Sequence, residues 1–347
     1  MSGFASDNFA GVHPEVLEAI GRANEGHAAA YGADDWTLRA EELFRRHFGA
    51  GTRAFPVFNG TAANVLALAA VCEPWQAVIC AETAHLHVDE CGAPKRLAGM
   101  KLIPVATEHG KLDLVLVELR ISRLGDQHAV QPRVVSISQA SELGTVYTAE
   151  EVAALAEMAH ANDLLLHVDG ARLANAAAQL ETSLGAITAD AGVDMLSFGG
   201  TKDGLLLGEA IVFCHPELAD GFEFVRKQLG QLASKMRFIS AQLEALLEGD
   251  LWLRNAAHAN AMAARLAERM RELDQVEIVH PVESNAVFAA LPEAAIGRLR
   301  EALPGEQPFH VWDEERNVVR LMCSWDTVDD DVERLVGALS GALAATA

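Results

Sequence analysis

Beyond the first fifteen residues, short runs of consecutive apolar residues alternate with alanine-rich stretches whose apolar positions recur at helical period. A strand buried on both faces has no polar side to show. Continuous apolar runs separated by amphipathic helices therefore predict an α/β fold, a mainly parallel sheet covered by helices. Seven such strands are predicted, at 54–58, 77–80, 101–105, 133–138, 164–168, 195–198 and 209–213. Helices are predicted between them at 61–71, 149–162 and 172–178. Thr148 is the expected N-cap of the second of these, with Glu150 and Glu151 in its first turn.

From about residue 218 to 273 the alternation stops and long helical segments rich in Ala, Leu, Arg and Glu take over. Strands at 276–280, 286–290, 309–312 and 318–323, closed by a helix at 329–344, then predict a small α+β domain. The expected division is a large domain over 1–250 and a small C-terminal domain over 251–347.

Composition adds exclusions. Half of the 347 residues are apolar, enough for a sizeable core. The formal charge of −22 repels phosphodiester backbones, and no Lys/Arg cluster reverses it locally, so nucleic acid is not an expected partner. Cys72, Cys80, Cys91, Cys214 and Cys323 are odd in number and scattered without metal-ligand spacing, which predicts reduced packing residues in a cytoplasmic protein. The amino terminus carries no targeting pattern, and no apolar stretch is long enough to span a bilayer.

The candidate chemistry starts at His167-Val168-Asp169-Gly170-Ala171-Arg172, which follows an apolar run and so puts Asp169 at the carboxyl end of a strand, where open α/β sheets gather their sites. An isolated Asp there is as readily a helix cap. Lys202, 33 residues on in Ser197-Phe198-Gly199-Gly200-Thr201-Lys202-Asp203-Gly204, changes that reading. If the two strands are neighbours, an acid and an amine meet at one edge, flanked by glycines expected to admit a ligand. Pyridoxal phosphate needs a lysine for the Schiff base, an anion beside its ring nitrogen and donors for its phosphate. Lys202 and Asp169 meet the first two needs, and the helix start at Asn59-Gly60-Thr61-Ala62 meets the third through free amides and the Thr61 hydroxyl.

His85 is expected to lie flat on the cofactor ring and to serve as the base, with a phosphate-bound water as the alternative. His85 and His87, followed by Asp89 and Glu90, could also suggest a metal site, but a third ligand at a recognisable spacing is missing, so no metal is expected. Gly49-Ala50-Gly51-Thr52-Arg53-Ala54 mimics a dinucleotide fingerprint but follows a helix rather than a strand.

Together HVDGAR, SFGGTKDG, FNGTAAN, SDNFAGVHPEV and YGADD resemble the low-specificity L-threonine aldolases, fold type I enzymes dependent on pyridoxal phosphate. The resemblance runs over most of the chain. It implies retro-aldol cleavage of L-threonine, L-allo-threonine and related β-hydroxy-α-amino acids to glycine and an aldehyde. By the same resemblance Ser6 and Arg320 hold the substrate carboxylate, with Arg316 a neighbouring alternative. Arg172 reaches the cofactor's phenolate oxygen, Tyr31 approaches the substrate across a dimer interface, and residues 1–15 form a substrate and interface segment. A homodimer or homotetramer follows.

Many relatives carry a histidine in the segment matching 138–142, where this chain has Ser-Gln-Ala-Ser-Glu. Alternatives on the same fold are a phenylserine-type aldolase and a β-eliminating lyase. From another class, a catalytically idle binding module is the alternative.

Overall fold

A computed structural model describes residues 3–303, 305 and 307–345. Helices α1 (Pro14–Ala23) and α2 (Asp35–Phe48) precede β1 (Arg53–Val57) and α3 (Gly60–Ala69). Next come β2 (Gln76–Ala81), α4 (His85–Val88), α5 (Ala93–Ala98), β3 (Lys101–Val105), α6 (Leu114–Glu118) and β4 (Gln131–Ser138). The large sheet is completed by β5 (Leu165–Gly170), β6 (Met195–Gly199) and β7 (Glu209–Phe213), with α7 (Ala149–Ala161) before β5 and α8 (Leu173–Gln179) after it.

The seven strands lie in the order β1-β7-β6-β5-β4-β2-β3, and β7 alone runs against its neighbours. Strand period explains why these runs look uniformly apolar in the sequence. Val78, Val134, Met195 and Ile211 pack on one face with α3 and Phe222, while the adjacent Ile79, Val135, Leu196 and Val212 pack on the other. Both faces are packed against helices, so apolar residues dominate both register positions through the strand centres.

The Thr148 cap is a full capping box: its hydroxyl accepts from the Glu151 amide, and the Glu151 carboxylate accepts from the Thr148 amide at 2.7 Å. Thr148→Ala is expected to cost about 1 kcal/mol in chemical denaturation, with activity per folded molecule unchanged.

Beyond β7 the chain runs through α9 (Phe222–Gln228), α10 (Arg237–Leu247) and α11 (Leu251–Arg271). The last part holds β8 (Glu277–Ile278), β9 (Ala286–Ala290), α12 (Glu293–Ala302), β10 (His310–Asp313), β11 (Val318–Met322) and α13 (Asp329–Ala344). Its four strands form an antiparallel sheet in the order β10-β11-β9-β8. Helix α12, not anticipated from the sequence, packs Ala295, Ile296 and Leu299 against α13.

The two cores meet on α11, whose Leu251, Trp252 and Ala256 belong to the large one and whose Ala263, Leu266 and Met270 belong to the small one. Phe4 is buried in the small core: its amide donates to the Pro308 carbonyl and its own carbonyl accepts from Met322. No helix among the described residues is long and apolar enough to cross a membrane.

Candidate active site

Asp169 stands at the carboxyl end of β5, in register with Ser138 of β4 and Ser197 of β6. One strand over, Gly199 ends β6. A Cβ built at Gly199 would fall 2.5 Å from the Ala171 carbonyl oxygen, so the turn after β6 rests directly on the turn after β5. That approach carries Lys202, on the single 3-10 turn Thr201–Asp203, toward Asp169. Gly199 thus lets two backbones meet, and it also lines the cavity at that edge.

A cavity of about 280 Å³ opens at this edge, and Gly60, Thr61, His85, Asp169 and Lys202 line it together. Asp169 is buried. Its Oδ2 accepts from the Asn64 side-chain amide at 2.7 Å and its Oδ1 from the Ala171 amide at 3.0 Å. The same Asn64 nitrogen donates to Glu90 at 3.2 Å, and Glu90 in turn lies 2.9 Å from Nδ1 of His85. The hydrogen bond to Glu90 raises the His85 pKa above its ordinary value, against the opposing effect of burial. A continuous chain, His85–Glu90–Asn64–Asp169, therefore runs under one side of the cavity. His87 and Asp89 are exposed, and among the described residues no group of three His, Cys, Asp or Glu side chains could hold a metal ion.

At the start of α3 the Asn59 side chain caps the Ala62 amide at 2.9 Å, and the Asn59 carbonyl takes the Ala63 amide. The amides of Gly60 and Thr61 lie ahead of these bonds as the helix's free donors, an arrangement that favours an anion.

Ser6, Tyr31 and Arg320, expected to meet substrate, and Arg172, expected to meet the cofactor's phenolate oxygen, do not line the cavity itself. The Arg172 side chain is largely buried and gives Nε and Nη2 to Asp7 at 2.7 and 3.1 Å, so one edge of its fork is engaged by that carboxylate. Asp7 also accepts from Asn285, which ties the amino-terminal segment to both cores. Burial alone would raise the Asp7 pKa; the charges of Arg172 and Lys202 and the bonds from Arg172 and Asn285 outweigh it and hold the carboxyl well below its usual range.

Arg320, on β11, donates to the Ala5 carbonyl at 3.3 Å, and its buried Nε has no protein partner. Asp7, Arg172 and Glu142 all act on its charge. Arg316 sits in the exposed β10–β11 turn instead. Ser6 accepts the Asn8 amide at 3.2 Å, and Asn8 lines the cavity. Tyr31 is exposed, with φ at 59° and the Lys227 ammonium 5.2 Å from its ring centroid.

The chain is 46% identical over 333 residues to the low specificity L-threonine aldolase of Pseudomonas aeruginosa, covering 96% of this chain and 94% of that protein. It belongs to the threonine aldolase family. A second family relative, from a Pseudomonas species, is 44% identical over 99% of this chain and 98% of its own. The family model described as beta-eliminating lyase matches residues 3–294. The structure of the threonine aldolase of Leishmania major superposes with a TM-score of 0.91 at 28% identity, covering 97% of this chain and 98% of that one. In this member of the threonine aldolase family the segment 138–142 contributes Glu142 to the cavity wall. Asn8, Asn64 and Glu209 line it as well, and none of the four was singled out from the sequence.

Proposed function

We propose that this enzyme cleaves L-threonine, L-allo-threonine and related β-hydroxy-α-amino acids to glycine and an aldehyde, with pyridoxal phosphate bound in the cavity. The observation that carries this reading is the meeting of Lys202, Asp169 and the free amides of α3 around one cavity of fitting size, in a chain nearly half identical to a named threonine aldolase. The donor set fits the group: a primary amine for covalent attachment, a buried carboxylate with acceptor capacity left for a ring N–H, and a helix start for a phosphate.

When bound, pyridoxal phosphate supplies a sink for the electron pair left on Cα as the Cα–Cβ bond breaks. The chain does the rest. Lys202 tethers the cofactor. Asp169, held by Asn64 and the Ala171 amide, would offer its carboxyl to the ring nitrogen and favour a proton there. Gly60 and Thr61 hold the phosphate.

Arg320, with its unpartnered Nε, and Ser6 hold the substrate carboxylate, and so fix which bond at Cα stands in line to break. Arg172 acts on that grip at one remove: paired with Asp7, it fixes the segment that carries Ser6. His85 takes the β-hydroxyl proton, oriented by Glu90 as an imidazole is oriented by a buried carboxylate in other acid–base sites. Tyr31 approaches the substrate of a second subunit in a homodimer or homotetramer, and its exposure in the single chain supports that role. The enzyme works in the cytoplasm, in a large domain over 1–250 and a small one over 251–347.

The test is an incubation of the purified enzyme and pyridoxal phosphate with L-threonine, L-allo-threonine and L-phenylserine, assaying aldehyde, glycine and keto acid together. Aldehyde with stoichiometric glycine is expected; keto acid with ammonia would reassign the enzyme to β-elimination.

The role of His85 has its own expected outcome. His85→Asn should lower kcat by about 10²–10⁴-fold while the visible band of lysine-bound cofactor persists. A base must be neutral to act, so activity falls as pH drops through the His85 pKa, which Glu90 raises. Glu90→Gln should therefore move the acid limb of the kcat profile to lower pH, and an unmoved limb would clear the pair of acid–base duty.

A further inference from the structure

Glu209 is a buried carboxyl that the chemistry above leaves unused. It opens β7, and because β7 runs against its neighbours, its first residue lies at the edge where the parallel strands end. Glu209 pairs with Gly199 of β6 on one side and Val57 of β1 on the other. Gly199 leads into the Lys202 turn and Val57 into the start of α3, so Glu209 stands between the amine and the free amides of Gly60 and Thr61. Its Oε2 accepts from the Gly200 amide at 2.7 Å, and the Thr201 side chain bonds to it as well.

The charged groups around it are few. Lys202 acts on it from the turn, and Asp169, His85 and Glu142 share the cavity wall, while the lining residues after β1 and on α3 are uncharged. Burial pushes the Glu209 pKa up to about 7, partly offset by Thr201, Gly200 and Lys202.

We propose that Glu209 is a positioning residue that couples filling of the phosphate cradle to uptake of a proton, so that a phosphate on Gly60 and Thr61 is held tightly only while Glu209 is neutral. The inference rests on the reading of Gly60 and Thr61 as the phosphate-holding residues. A phosphate monoester brings about 1.5 to 2 negative charges into a partly desolvated cavity. A carboxylate facing the same space raises the cost of that charge, and the phosphate in turn raises the carboxyl's hold on its proton. The sign follows from linkage. Below neutrality Glu209 is already protonated and binding meets no penalty; above it, binding must take up a proton and affinity falls as pH rises.

The probe is 4′-deoxypyridoxine 5′-phosphate, which has a methyl group in place of the aldehyde and cannot bond to Lys202. Its dissociation constant is measured on cofactor-free wild type and Glu209→Gln, a variant that keeps an acceptor for the Gly200 amide. Ring and phosphate titrations act on both proteins and cancel in the ratio. The wild-type to variant ratio is expected near one at about pH 6 and to rise to about tenfold at about pH 8.5. A ratio flat with pH, alongside a clear preference for the phosphorylated probe over 4′-deoxypyridoxine, would overturn the coupling while leaving the cradle intact. Equal binding of the two probes would overturn the cradle and the coupling with it.

Should the variant not fold, wild type alone decides. Calorimetry with inorganic phosphate near pH 8, in two buffers of different ionisation enthalpy, is expected to show uptake of up to about one proton per phosphate bound. No uptake would overturn the proposal.

Discussion

Lys202→Ala is expected to abolish the visible absorbance of bound cofactor and to lower turnover by about three orders of magnitude or more. The expectation follows from position. Lys202 is the amine in a cavity whose other walls offer the Asp169 carboxyl and the helix start at Gly60 and Thr61, the residues proposed to meet the cofactor's ring nitrogen and phosphate. Its side chain is half-buried on a one-turn helix and lies outside the apolar cores, so the change should leave far-UV circular dichroism and the melting temperature of the cofactor-free protein close to wild type. Retained colour and turnover would remove Lys202 from the centre of the reaction, and with it the reading of the cavity as a cofactor site.

The second large effect is on stability. Asp7→Ala is expected to destabilise the fold by about 3–5 kcal/mol in urea, because it leaves the Arg172 guanidinium buried without its counter-charge. Asp7→Ala combined with Arg172→Leu should recover much of that loss, which distinguishes a stranded charge from simple loss of packing. The Asp7 carboxyl is held below its unfolded value, so its contribution is present above an unfolded pKa of about 3.9 and is lost as pH falls through the lower folded value. The gap between wild type and Asp7→Ala should therefore narrow in acid below about pH 4. A gap that holds its size there would contradict the ion pair as the source.

Asp169, Lys202, Gly60, Thr61 and His85 were legible in the sequence because each follows a recognisable strand, and the edge where parallel strands end is a rule of open sheets. The same rule hides Glu209. In a strand that runs the other way the edge is reached by the first residue, and nothing in Glu-Ala-Ile-Val-Phe tells its direction. The pairing of Glu90 with His85 escaped for another reason: it closes over five residues by way of a turn, a spacing that matches neither helix nor strand period. Asn64 sits within an apolar helix and gains meaning only from Asp169, 105 residues away. Strand positions needed no tertiary information, since an apolar run that packs on both faces has a single stable fate. Helix α12 carries too few apolar positions to stand out on its own.

Phe4 has a consequence for how the chain is made. Its partners Pro308 and Met322 follow it about 300 residues later in the chain. At about 5–20 residues per second, Phe4 waits on the order of half a minute for its place in the small core. Throughout that interval the nascent large domain carries an aromatic residue with nowhere to go, so synthesis stalled short of β11 would present it to chaperones rather than to its own fold.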